Sequence, residues 1–186
     1  MNEKIFKGII VIIIVLCFFL ILLFLSYLIG NVYKGMLKRK KKMDRSFEEL
    51  LKVLNRDFEL IPSLLQELNM PKELEKEFYN LYKEFNEVKD YLSPAISYNY
   101  YKKYQDLLSK LLNLHLKGHA LDFAVEQNRL TSFSIPLYNL NVKDYNHFKN
   151  LFFNRRFSKL FHFKDGEYFT NSNDRIDTTI DFQLER

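Results

Sequence analysis

An uncharged apolar run near the N-terminus most strongly limits how this chain can fold. Ile9 to Ile29 comprises 21 residues without one Asp, Glu, Lys or Arg. A helix of about 20 apolar residues spans the hydrocarbon core of a bilayer. A buried core helix and a cleaved signal peptide are the alternatives, but both normally have shorter apolar runs. The sequence therefore predicts a retained transmembrane helix, a signal-anchor, within residues 1–33.

The net charge of +5 is concentrated beside this run. Residues 1–42 hold 8 of the 28 Lys and Arg and 1 of the 23 Asp and Glu, so the remainder is slightly acidic. A domain that binds nucleic acid is normally basic itself, and this distribution disfavours such a partner.

The charges that flank the apolar run predict its orientation. Six cations occupy the basic juxtamembrane run, residues 34–42, whereas Lys4 and Lys7 lie on the N-terminal side. Positive flanks of a span are retained in the cytoplasm. The bias predicts a single-pass protein of the cell membrane, with a short N-terminus outside and the larger part in the cytoplasm.

Apolar residues recur at helical spacing through residues 43–163, alternating steps of four and three. The first stripe is Phe47, Leu51, Leu54, Phe58, Ile61, Leu65 and Leu68. The second is Leu74, Phe78, Leu81, Phe85, Val88 and Leu92, and the third is Tyr100, Tyr104, Leu107, Leu111 and Leu114. A fourth, less regular segment covers about residues 120–150 and is interrupted by Pro136. Short breaks between these segments predict an all-α fold: an antiparallel up-down bundle of about four long helices, the first continuing from the span directly or after a hinge.

Six phenylalanines crowd the end of this region, at positions 152, 153, 157, 161, 163 and 169. We expect a Phe-rich capping segment that buries these rings against the open end of the bundle. An exposed aromatic patch, facing a partner or the membrane surface, is the alternative. Residues 164–186 are then an aromatic and polar tail that packs on the bundle or is partly disordered.

Motifs typical of catalysis or metal binding are missing from the sequence. The single cysteine, Cys17, lies inside the apolar run, and no phosphate-binding glycine motif and no Glu-x-x-His occurs. His115 and His119 have the spacing of zinc ligands on a helix, but Gly118 between them is expected to end that helix. We therefore predict no enzymatic activity, cofactor, metal or small-molecule substrate.

Pro62 falls within the first stripe, where a proline removes one backbone hydrogen bond and frees the carbonyl of Phe58. Asn128, Asn139 and Asn146 are 11 and 7 residues apart, which at about 100° per residue places them near one side of a helix. Chance alignment is one interpretation. The other is a polar seam in which one of these amides, or a Tyr hydroxyl, bonds the freed backbone near Phe58.

Several short motifs together resemble the LemA family of bacterial membrane proteins. They are RDFELIPSLL at residues 56–65, EQNRL at residues 126–130, the pairs Tyr138-Asn139 and Tyr145-Asn146, the aromatic segments LFHFK at 160–164 and YF at 168–169, and IDF at 180–182. The residues that carry the resemblance are Arg56, Asp57, Ile61, Pro62, Glu126, Asn128, Arg129, Tyr138, Asn139, Tyr145, Asn146, Phe161 and Phe163. The resemblance implies an antiparallel helical bundle on a single-span anchor, with no established enzymatic activity, cofactor or ligand.

These observations favour a LemA-like single-pass membrane protein whose bundle is a protein-interaction or scaffold module. An exposed helix face or the Phe-rich end would bind an unidentified protein partner. The alternative is a signalling or lipid-sensing module at the membrane surface. In that hypothesis the basic run senses anionic lipid and Pro62 is a hinge.

Overall fold

The computed structural model describes residues 3–170, with side chains at residues 9, 10 and 12–170. Over that range every regular element is helical and strands are absent. The helices are α1 (Glu3–Glu59), α2 (Ile61–Glu67), α3 (Lys72–Val88), α4 (Pro94–Asn113), α5 (His119–Asn150) and α6 (Phe152–Leu160), with a short 3₁₀ turn at Lys89–Tyr91. The predicted all-α class is confirmed for these residues. The closing motif at residues 180–182 lies outside them.

Helix α1 carries the apolar run and continues unbroken through the basic juxtamembrane run. Side chains between residues 12 and 28 are exposed on every side of the helix. In the described part of the chain, α1 is the one helix long and apolar enough to cross a membrane, by length and composition. The part of this helix that follows the apolar run therefore continues directly from it, without the hinge that was one of two expectations.

The chain divides into two compact units. Of the described residues, the first unit contains 3–41 and 144–165, and the second contains 42–143 and 166–170. Both α1 and α5 contribute residues to each unit.

In the first unit, α1 and the end of α5 approach closely at Gly35. A Cβ atom built on Gly35 would lie 2.8 Å from the ring of Phe148, a separation that side chains essentially never show. One turn further along, the guanidinium of Arg39 lies 3.9 Å from the centre of the same ring and forms a 3.2 Å ion pair with Asp144. Glycine at position 35 thus allows the aromatic ring to seat against the helix backbone.

The core of the second unit is built on aromatic stacking between helices. The rings of Phe58 and Phe85 stack at 3.7 Å between centroids, and Tyr104 lies 5.5 Å from Phe58. The second and third predicted stripes supply much of the interior. Their buried members are Leu74, Phe78, Leu81, Phe85, Tyr104, Leu107 and Leu111. Leu114, the last member of the third stripe, is exposed and lies just beyond the end of α4 at Asn113.

The first stripe is buried in part: Leu54, Phe58, Ile61 and Leu68 lie in the interior as predicted. Leu51 and Leu65 are only half-buried, whereas Leu50 and Leu64 are fully buried. Asp57 also lies fully inside. The interior face is therefore wider than the predicted stripe and extends to the positions one residue earlier.

The first stripe does not form one unbroken helix at Pro62. Helix α1 ends at Glu59, Leu60 interrupts the helix, and Pro62 lies in the first turn of α2. A proline is well tolerated there because the missing N–H would have no acceptor within the helix. Pro136, by contrast, lies inside α5, which continues through it.

The start of α5 is fixed by a contact with α2. The backbone N–H of Ala120 donates to Oε2 of Glu67 at 2.9 Å, where a carboxylate also suits the helix dipole. A Cβ on Gly118 would lie 2.6 Å from Oε1 of Glu67, so only glycine fits this approach without a shift. The left-handed residue after α4 is His115, with φ of 51°, and His119 begins α5. The two histidines therefore do not share one helix face, and Gly118 does not cap α4.

Candidate functional site

A buried carboxyl group marks the interior of the second unit. Asp57 is fully buried near the end of α1, and its Oδ2 accepts a 2.6 Å hydrogen bond from Oγ1 of Thr131 on α5. Its Oδ1 is also buried and has no hydrogen-bond partner among the described residues. Burial raises the pKa of Asp57 to about 7, although the Thr131 bond lowers it in part. This carboxyl group therefore ionises near neutral pH.

Two tyrosines of α4 lie close enough to Asp57 to respond to its charge. Burial first, and then the charge of Asp57, raises the pKa of Tyr104, whose hydroxyl is buried without a partner within residues 9–170. Burial likewise raises the pKa of Tyr101, which shares a 2.9 Å hydrogen bond with Ser132 of α5. Helices α1, α4 and α5 thus contribute one group of polar side chains: Asp57, Tyr101, Tyr104, Thr131 and Ser132.

Further polar atoms in the second unit are buried without partners in the described structure: Oδ1 of Asn55, Nε2 of Gln127 and Oδ1 of Asn128. An unpaired buried polar atom costs about 1–3 kcal/mol of desolvation, so several in one small domain are unusual. Asn55 precedes Asp57 by two residues, and Gln127 lies one turn before Thr131 on α5. The interior of the second unit therefore holds several buried polar atoms whose hydrogen bonds are not formed within the described residues.

Tyr138, Asn139 and Tyr145 of the predicted Tyr-Asn pairs bind the backbone of the segment that follows α6. The hydroxyl of Tyr138 donates to the carbonyl of Glu167 at 2.6 Å. Asn139 uses both ends of its amide on Phe169, donating to its carbonyl at 3.3 Å and accepting from its N–H at 2.8 Å. In the first unit, Tyr145 donates in the same way to the carbonyl of Lys164 at 2.8 Å.

The polar-seam hypothesis allowed Asn139 to bond the backbone near Phe58. Its amide instead bonds the backbone of Phe169. The described link between α1 and α5 in this region is the bond from Thr131 to Asp57. Asn128 is half-buried, and its backbone carbonyl accepts a 3.0 Å hydrogen bond from Oγ of Ser132. Sequence reasoning missed Thr131, since a single threonine in an irregular helix has no local signal.

The other residues of the family-like motifs occupy varied places. Ile61 is buried and Pro62 is half-buried, whereas Arg56, Glu126 and Arg129 are exposed. Glu126 and Arg129 approach to 3.9 Å on the surface of α5, a contact that contributes little in water.

The Phe-rich segment is divided between interior and surface. Phe169 is buried against Tyr98 and Tyr101. Phe163 is half-buried, Phe161 is exposed, and Phe152 and Phe153 are each 71% exposed. We expected a cap that buries all of these rings, but several of them are exposed.

An apolar stripe runs along the outer side of α5 in the second unit. It consists of Phe123, Leu130, Phe133, Leu137 and Leu140, all exposed, and we call it the α5 stripe. Its last four members are spaced by three, four and three residues. Since the opposite side of α5 carries the buried Ala124, Thr131, Tyr138 and Val142, this helix is apolar on two sides.

Comparison with protein-family models, curated proteins and solved structures finds no match to this chain. Residues 9–170 contain no cluster of three or more His, Cys, Asp or Glu side chains arranged to hold a metal ion.

Proposed function

We propose that this chain is a single-pass membrane protein that binds a helix of another protein along the α5 stripe. The proposal includes a LemA-like antiparallel up-down arrangement of the helices and a cytoplasmic location for the helical part. It is a scaffold or interaction protein rather than an enzyme. Asp57, the carboxyl group with a strongly shifted pKa, is closed off from solvent, so a soluble substrate has no route to it.

The observation that carries this proposal is the exposure of the α5 stripe. Phe133 is 67% exposed and Leu140 is 59% exposed, although both are large apolar side chains. Single exposed apolar residues are ordinary, but Leu130, Phe133, Leu137 and Leu140 follow one another along one line of the helix, a patch of the kind that marks binding surfaces. The exposed Glu126 separates Phe123 from these four.

The spacing of the stripe fits a helical partner. Steps of three and four residues keep side chains on one line of a helix, and such lines pack against a second helix in coiled coils and helix-in-groove complexes. Phe123 and Leu140 are 17 residues apart, which corresponds to about 25 Å along the helix. A partner helix of about five turns would cover this length.

Site-specific photo-crosslinking in native membranes tests the proposal. A photoreactive amino acid at Phe133 or Leu137 is expected to form a discrete adduct with another protein, and proteolysis should locate the adduct on an amphipathic helix of that protein. The matched control is the same amino acid at Tyr79, an aromatic residue on α3 that is 58% exposed and outside the stripe.

Three results have distinct meanings. Adducts at Phe133 that disappear in the Leu130→Glu variant support the proposal, because a charge in the stripe disfavours apolar contact. Adducts that form equally at Tyr79 and Phe133, or at neither, contradict it. Release of the chain from membranes by alkaline carbonate contradicts the anchoring itself.

A further inference from the structure

Helix α6 reverses the usual distribution of a packed helix. Its buried residues are the polar Asn154 and Ser158, whereas Phe152, Phe153 and Leu160 are exposed. Asn154 donates to the carbonyl of Phe148 at 2.7 Å, and Ser158 accepts through its carbonyl from the N–H of Phe163 at 2.9 Å. The first bond ties the start of α6 to the end of α5 within the first unit, and the second closes the last turn of α6 itself, while Phe152, Phe153 and Leu160 stay exposed.

The outward residues of α6 separate into an apolar side and a cationic side. At about 100° per residue, Phe153, the half-buried Phe157 and Leu160 lie within one narrow arc of the helix, whereas Phe152 falls among the cations, with its ring 5.5 Å from the guanidinium of Arg156. Arg155, Arg156 and Lys159, all exposed, lie on the adjoining arc. An apolar side bordered by cations is typical of helices that lie in the interface of an anionic bilayer.

The position of α6 in its unit points to the same partner. Phe161, the residue after α6, packs edge-on against Tyr33 of α1 with 5.1 Å between ring centroids, and Phe163 contacts the same tyrosine at 5.8 Å. Phe161 also closes a shallow groove with Ile29 and Gly30, where the apolar run ends. This end of α6 is therefore held within about one helical turn of the predicted membrane boundary, where tyrosines are commonly found.

We infer that α6 lies in the headgroup region of an anionic phospholipid bilayer. Phe153 and Leu160 insert between the headgroups, and Arg155, Arg156 and Lys159 contact lipid phosphates. This inference rests on the membrane anchoring proposed above, and it adds a second, peripheral membrane contact. The basic juxtamembrane run begins at Lys34, directly after Tyr33 in α1, so its first cation lies close to the same predicted boundary.

Fluorescence quenching from the lipid headgroups tests this placement. The full chain, with Cys17→Ala, carries a fluorophore on Phe153→Cys and is reconstituted in vesicles of phosphatidylcholine and phosphatidylglycerol that contain a nitroxide on the headgroup. Quenching at position 153 is expected to exceed by about twofold or more the quenching of the same label on Tyr79→Cys, since contact with a headgroup quencher requires close approach.

The contribution of the cations is tested in the same preparation. A triple variant should reduce quenching at position 153 by roughly half in anionic vesicles, and by little in phosphatidylcholine alone. It combines Arg155→Gln, Arg156→Gln and Lys159→Gln. The matched control is Lys76→Gln, Lys83→Gln and Lys102→Gln, which removes three exposed cations from α3 and α4. This control should leave quenching unchanged.

The possible failures are distinguishable. If alkaline carbonate releases the chain from the vesicles, the proposed anchoring is wrong. If the chain stays in the vesicles but labels at positions 153 and 79 are quenched equally or not at all, the placement of α6 is wrong and the anchoring stands. Strong quenching that does not depend on anionic lipid overturns the role of the three cations. If Phe153→Cys does not fold, a label on Leu160→Cys gives the same readings.

Discussion

Asp57 is the residue whose ionisation most directly affects the stability of this interior. It is fully buried, and one of its carboxyl oxygens has no partner in the described structure, so ionisation places a poorly compensated charge in the core. Its folded pKa of about 7 lies above its ordinary value of 3.8. The folded state therefore keeps a proton that the unfolded chain releases between these two pH values. The stability that this proton contributes is fully present below pH 3.8 and is lost as pH rises through about 7.

Replacing Asp57 by Asn should remove this pH dependence. We expect Asp57→Asn to be more stable than the original chain at pH 8, by roughly 2–4 kcal/mol, and similar to it at pH 4. Guanidinium unfolding of the full chain in detergent, followed by circular dichroism, measures the difference. The control Asp106→Asn changes an exposed carboxylate of α4 and should leave the pH dependence unaltered. A variant that is destabilised equally at both pH values would show that the carboxyl group is not the titrating element.

Tyr104 and Tyr138 provide a matched test of buried hydroxyl groups. Both rings are buried, but the hydroxyl of Tyr138 donates to Glu167 whereas that of Tyr104 has no partner in residues 9–170. Tyr138→Phe should cost about 1 kcal/mol of unfolding free energy, while Tyr104→Phe should be neutral or slightly stabilising. Urea unfolding of the two variants side by side decides the matter, and equal losses would contradict the bonding described.

The position of Asp57 was partly foreseeable from the sequence. Met43, Leu50 and Asp57 are seven residues apart, so the aspartate continues a heptad whose earlier members are buried. A polar residue at such a position is a recognised signal of a buried polar contact. Its partner Thr131 lies 74 residues away, and local spacing has no information about contacts at that distance.

At the scale of the elements, the two prolines have opposite relations to their helices. Pro62 lies in the first turn of α2, where no backbone hydrogen bond is lost, and Pro136 lies inside α5, where one is. Pro136→Ala should therefore raise the unfolding free energy by about 1–3 kcal/mol, whereas Pro62→Ala should change it by less than about 1 kcal/mol. Denaturant unfolding of the full chain in detergent measures both, and the reverse order of effects would refute this interpretation. The hypothesis that Pro62 is a hinge for lipid sensing stays a prediction.

Regular apolar spacing predicted the helices well, but not what covers them. The segment expected at residues 120–150 is α5 (His119–Asn150), and the second and third stripes are largely buried. The α5 stripe was not foreseen because a helix that is apolar on two sides has no single clear period. The reversed α6 was missed for a related reason: a cluster of phenylalanines indicates a need for burial, and a bilayer can meet that need as well as a core.

For the whole molecule, the distribution of charge around the apolar run predicts which side of the membrane each end occupies. Six cations follow the run within residues 34–42 and two precede it. Since cations beside a span resist translocation, α3 and α4 should be cytoplasmic and the N-terminus outside. In a Cys17→Ala chain, an impermeant maleimide should label Asn2→Cys in intact cells. It should label Lys103→Cys, which is exposed on α4, only after the membrane is permeabilised. Labelling of Lys103→Cys in intact cells would reverse the topology. It would also place the α5 stripe on the outer side, where its helical partner would have to be an exported protein.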